Sequence, residues 1–237
     1  MSTSTSHGVA ARGLAQPAAP EAETVGGPGT AVLRRSAVQP TRRAVLDVQF
    51  PDDPAAPPEL AHWFTERAFD YYVAALRLPH VARLVVREAA RAGRDLRDAF
   101  ADLDAACARV RGSDGIASVI VTARGRAAVA AAQWADSAHR SADALILSAP
   151  AWPRGGLRLS IGCPVLVLTN ESSQAPSGPW QRRPGGGRAK PPQPPQLGSH
   201  VTWLTLPGAG GDQPLHLAEL GRWLGAYMYG SGLDQLL

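Results

Sequence analysis

Apolar residues recur along this chain in short blocks, and longer amphipathic stretches separate them. AVLDVQF (Ala44 to Phe50), SVIVTA (Ser118 to Ala123), ADALILS (Ala142 to Ser148), CPVLVLT (Cys163 to Thr169) and VTWLTL (Val201 to Leu206) are such blocks. Their near-continuous apolar character predicts strands buried on both faces of a parallel sheet. TAVLRR, from Thr30, and FDYYVAALRL, Phe69 to Leu78, predict two more strands, the second from its aromatic and β-branched start. PELAHWFTERA, from Pro58, predicts a helix with proline near its first turn, where a missing N–H has no cost. Between Asp95 and Arg111, Leu96, Phe100, Leu103, Cys107 and Val110 follow one another by steps of four and three, which puts them on one helical stripe. Arg126 to Ala135 is alanine-rich and helical. Leu215 to Gly230 is an amphipathic closing helix with Leu220, Trp223, Leu224 and Tyr227 inward. Strands alternating with helices define the class as α/β, with a doubly wound, mostly parallel sheet covered on both faces.

Composition refines this picture at the ends and in one loop. Residues 1–29 are rich in Ala, Pro, Gly, Ser and Thr without a period, which predicts a disordered tail. A single domain is expected over 30–230, with a short tail at 231–237. Inside it, Gln174 to Ser199 carries much of the Pro and Gly excess together with Arg182, Arg183, Arg188 and Lys190, and predicts a long mobile loop. The formal net charge of +4 is mild and no dense basic helix appears, so nucleic acid is not an expected partner. No apolar run reaches the length of a membrane span, and the N-terminus lacks an apolar signal region. Cys107 and Cys163, both in apolar surroundings, fit free thiols in a reducing compartment. The expected location is the cytoplasm.

Chemistry in a doubly wound sheet collects where a strand ends and a helix begins. The sharpest junction is SVIVTA–RGR–AAVAAAQWA, a strand, a tight turn and a helix. Ala123-Arg124-Gly125-Arg126-Ala127 matches the small-x-nucleophile-x-small pattern of a nucleophile elbow. Here the chain resembles the bacterial α/β-hydrolases of the serine-aminopeptidase and monoacylglycerol-lipase type. The likeness runs from about Thr30 to Leu224. It is carried by RRAVLDVQFPDDPAAPPELAHWFTERAFDYYVAALR, by DLRDAFADLDAACARVRGSDGIASVIVTARGRAAVAAAQWA, by ADALILSAPAW, and by CPVLVLTNESSQ with LGSHVTWLTLPGAGGD.

The resemblance implies a functional residue at each of several positions, and most are altered. The elbow apex, serine in the family, is Gly125. The His-Gly that opens the family's oxyanion hole is Gln49-Phe50, and the donor following the apex is Arg126. The family's histidine falls on Gly211, while Glu171 stands where an acid is expected. Only Ala149 to Gly162 separates the two strands between which the family inserts a helical lid, so none is expected. His216 with Asp212, and the hydroxyls of Thr122, Ser148, Ser172 and Ser173, lie outside the expected geometry and read as a helix-start histidine and strand-end groups.

Glycine at the apex keeps the turn without steric cost and abolishes the chemistry. The reading is therefore a protein that has lost serine-hydrolase activity and serves as a binding or regulatory module. Two alternatives stand beside it: a weak carboxylester hydrolase with a relocated site, and a scaffold that pairs with another protein. Arg124 and Arg126 at the start of a helix suggest an anion site. The expected ligand is small and anionic or acyl, with a protein partner docking on the 174–199 loop. No cofactor or metal is expected.

Overall fold

The computed structural model describes residues 29–53, 56–77, 96–113, 115–136, 142–153, 157–170, 195–206 and 217–230, without the side chains of 170, 206 and 228–230. The predicted tails at 1–28 and 231–237 and most of the 174–199 loop lie outside these residues.

Seven strands form one sheet: β1 (Ala31–Arg35), β2 (Arg43–Gln49), β3 (Asp70–Ala75), β4 (Ser118–Arg124), β5 (Ala144–Ser148), β6 (Val165–Asn170) and β7 (Val201–Leu206). Four helices are described: α1 (Pro58–Thr65), α2 (Arg97–Arg111), α3 (Gly125–Ala135) and α4 (Leu217–Gly230). The strand order is β1-β3-β2-β4-β5-β6-β7. Only β1 runs antiparallel, against β3; every other pair is parallel. The doubly wound, mostly parallel sheet expected from the apolar blocks is what forms.

Side-chain alternation along β2 shows how the two faces divide. Ala44, Leu46 and Val48 pack with Leu103 and Cys107 of α2 and with the alanines of α3. Val45 turns the other way, into a second cluster with Leu60 and Phe64 of α1 and Leu220 and Leu224 of α4. Asp47 shares the parity of Val45 and is only 3 % exposed. The α2 stripe fills its side of the core: Leu96, Leu103, Cys107 and Val110 are buried and Phe100 packs against them. Helix α3 is buried on nearly every side, and its small alanines let its backbone lie close to the sheet. Phe64 anchors α1, edge-on to Trp63 and Phe69 and stacked on Tyr71 of β3.

Several boundaries differ from expectation for local reasons. The strand predicted from Phe69 begins at Asp70, because the Phe69 N–H donates to the Phe64 carbonyl and still belongs to the end of α1. The strand predicted from Cys163 begins at Val165, since Pro164 has no N–H to give a ladder. The strand predicted from Ala142 begins at Ala144. Most relevant to function, no separate Arg124-Gly125-Arg126 turn exists. Strand β4 runs through Arg124 and α3 starts at Gly125, so one residue makes the whole reversal.

Candidate functional site

The junction of β4 and α3 stands at the carboxyl end of the sheet, between β2 and β5. Arg124 is extended, with φ −129° and ψ 156°. Gly125 has φ +52°, in the left-handed region that glycine enters without steric cost. Among the described residues, a Cβ at Gly125 would meet no atom within 4 Å. The Gly125 carbonyl accepts the Ala151 N–H at 3.0 Å, which ties the turn to the segment after β5. That segment begins at Ala149, itself at φ +43°, whose N–H donates to the Leu168 carbonyl at 2.7 Å.

The two arginines that flank Gly125 do not converge. Arg126 turns toward the loop after β2, and its Nε and one terminal nitrogen donate to a single oxygen of Asp53 at 3.2 and 3.0 Å. Its guanidinium also lies 5.6 Å from the Phe50 ring centroid. The other Asp53 oxygen accepts the Phe50 N–H at 3.4 Å, while the Asp53 N–H closes the turn on the Phe50 carbonyl at 3.0 Å. Asp53, which the sequence did not single out, thus links the Phe50 N–H to the Arg126 side chain. Gln49, the third position of that turn, gives its carbonyl to the Leu76 N–H at 2.9 Å.

Arg124 has the parity of Ile120 and Thr122 and turns into the α1/α4 face, beside Asp47 and Tyr71. Two of its guanidinium nitrogens, Nε included, are buried without a hydrogen-bond partner among the described residues. Burial pushes the Asp47 carboxyl up from 3.8 to about 6, and the attraction of Arg124 and the Tyr71 hydroxyl only partly oppose it. The Tyr71 hydroxyl approaches Asp47 without reaching full hydrogen-bond geometry, and burial with the Asp47 charge raises it far above the ordinary phenol range. Arg124 is lowered from its usual value by burial, against the pull of Asp47. This carboxylate, phenol and guanidinium lie under the elbow on the opposite side from Asp53.

The remaining sequence candidates fall into two groups. Thr122 is 2 % exposed in the interior of β4, and Ser148 is 8 % exposed at the end of β5, beside Arg124 in register. Glu171, Gly211, Asp212, His216, Ser172 and Ser173 lie outside the described residues. Within those described, the chain between β5 and β6 makes a parallel bridge from Arg158 to Gln196, just ahead of β7. No helix among the described residues is long and apolar enough to cross a membrane.

No protein-family model matches this sequence, and no curated protein matches it. Solved structures do share its architecture. Est1E from Butyrivibrio proteoclasticus superposes with a TM-score of 0.53 at 10 % identity, over 81 % of this chain and 89 % of Est1E. Est1E with ferulic acid bound gives a TM-score of 0.56 at 10 % identity, over 85 % of this chain and 94 % of the other. The chain has the α/β-hydrolase fold. The β4–α3 junction and the loop after β2 with Phe50 and Asp53 lie side by side at the carboxyl end of this sheet.

Proposed function

We propose that this protein is a non-hydrolytic member of the α/β-hydrolase fold that acts as a binding or regulatory module. One observation carries the reading: the residue at the elbow apex is Gly125, at φ +52°, with no nucleophilic side chain. The turn that a serine would need is kept while the group that attacks is absent. The Asp53 carboxylate beside the oxyanion side supports the same reading, because it takes up the Phe50 N–H and the Arg126 side chain. An anion developing in a transition state would meet like charge there. Both cysteines are buried, which fits a reducing compartment such as the cytoplasm. In this reading the Pro- and Arg-rich 174–199 stretch is the segment offered to a protein partner.

The test is covalent labelling of the purified, folded protein with a fluorophosphonate probe, read by intact mass. The expected result is no adduct. A stoichiometric adduct would show an activated nucleophile elsewhere in the chain, and the ester-hydrolase alternative would replace this reading.

A further inference from the structure

We propose that a second copy of this chain pairs antiparallel with β7, so that one sheet runs through both copies across a twofold axis at Trp203. Strand β7 ends the described sheet, and among the described residues only its β6 side is paired. The bonds to β6 show which backbone groups are left over. The His200 carbonyl accepts the Val165 N–H at 2.9 Å, and the Leu204 carbonyl accepts the Thr169 hydroxyl at 3.4 Å. Even-numbered residues therefore turn their N–H and C=O toward β6. By the alternation of a strand, Val201, Trp203 and Thr205 turn theirs outward, to the open edge. Such a row is a template for an added strand.

The occupant that fits this row is the same row on a second copy. In an antiparallel pair, opposed residues whose groups face each other exchange both hydrogen bonds. With Trp203 opposite the other copy's Trp203, Val201 falls opposite Thr205 and Thr205 opposite Val201. Every outward group of both strands is then matched, whereas a register shifted by two residues carries one end past the strand. The side chains agree with this register. Trp203 is 41 % exposed, and its ring lies 6.4 Å from that of Trp152, so an aromatic pair stands beside the edge. Opposed side chains share a face, so the two Trp203 rings cover each other across the axis, flanked by the Trp152 rings. Charge favours this closed arrangement over an open one. Strand β7 has no charged residue, so two copies meet without like-charge repulsion. Head-to-tail growth would instead add β7 to β1, a strand of five residues on which Arg34 and Arg35 are exposed.

This pairing does not involve the elbow, so it stands or falls apart from the non-hydrolytic reading. The experiment is size exclusion with light scattering on the full chain, over a concentration series, for wild type, Trp203→Lys and Trp203→Glu. The wild type is expected at the mass of two chains. Either variant sets like charges directly opposite each other on the axis, where Cα atoms stand about 5.5 Å apart. With the aromatic anchor also gone, the dimer should weaken at least about tenfold. Mixing the two variants in equal amounts sets lysine opposite glutamate and should restore the two-chain mass. Circular dichroism checks that each variant is folded. Where one is not, Thr205→Pro is read in its place and should run at the mass of one chain, because it removes an outward N–H and leaves the β6 ladder whole. A wild type at the mass of one chain overturns the proposal, as does growth beyond two chains. So does a dimer that Trp203→Lys or Thr205→Pro leaves intact, or a lysine and glutamate mixture that stays at the mass of one chain.

Discussion

Asparagine in place of Asp47 tests the buried cluster under the elbow through the pH dependence of stability. Asp47 is 3 % exposed in the middle of a central strand, and burial raises its carboxyl from 3.8 to about 6 despite Arg124 and Tyr71. A raised value means that the folded protein holds this proton more tightly than the unfolded chain does. Below 3.8 both states are protonated and the contribution is fully present. As pH rises from there through about 6, the unfolded chain ionises first and the contribution is lost. Beyond that the deficit stays constant. At about 1.4 kcal/mol per pH unit, a gap of roughly two units is worth up to about 3 kcal/mol. Asparagine keeps the shape of the neutral acid and cannot ionise. Urea unfolding of wild type and Asp47→Asn should be followed from about pH 4 to about pH 8, where the linkage is expressed. The stability of the variant relative to wild type should climb by up to about 3 kcal/mol between about pH 4 and pH 7, then level off. A flat difference would mean that Arg124 offsets burial in full, and one that falls with rising pH that it stabilises the anion more than burial opposes it. The account of the cluster would then be wrong.

Other consequences are directly measurable. Gly125→Ser fits sterically but must hold a non-glycine residue at φ +52°, so it should cost about 1–3 kcal/mol in urea unfolding. Under the proposed non-hydrolytic reading, in which Gly211 takes the place of a histidine base, it should also gain no fluorophosphonate adduct; a labelled variant would show that a base is supplied by another residue. Leu103→Ala removes a fully buried side chain between α2 and the sheet and should cost about 2–5 kcal/mol, read as a lower urea midpoint. Burial pushes the Cys107 thiol up to about 12, so at mildly alkaline pH it stays protonated and should react with a disulfide reagent only after denaturant is added. Reaction of Cys107 in the native protein at the rate of a free thiol would contradict this.

Much of the fold was legible because strands of a parallel sheet are buried on both faces and read as apolar blocks. Val201–Leu206 coincides with its prediction, and the other ends moved where a single N–H or a proline decided the ladder. Gly125 was legible for a sharper reason: a positive φ at a strand-to-helix reversal selects glycine when no nucleophile is required. Asp47 was not legible as special, because AVLDVQF reads as a strand with or without it. Its meaning comes from Arg124 and Tyr71, which only strand pairing and alternation bring beside it. Asp53 was hidden in the same way. In QFPDDP it looks like an ordinary turn former, yet its partner Arg126 is 73 residues further on. The grouping of Asp with Pro after β2 was the available signal, and it pointed to a turn rather than to a carboxylate aimed at the start of α3. The two arginines suggested one anion site from their spacing alone; the parity of β4 sends Arg124 to the opposite face.

The strand order also bears on how this protein behaves in concentrated solution. Each end of an open sheet leaves a row of N–H and C=O groups that another chain can extend. At one end, β1 is short and carries Arg34 and Arg35, charges that discourage such addition. At the other end of the described sheet, β7 reads VTWLTL, without a charge or a proline, and Trp203 is 41 % exposed. The two flanks are therefore unequal in colloidal terms: one resists strand addition, and the other has the composition of segments that stack into cross-β assemblies. A lysine at Thr202, which is exposed on β7, is the natural change to discourage strand addition at that flank.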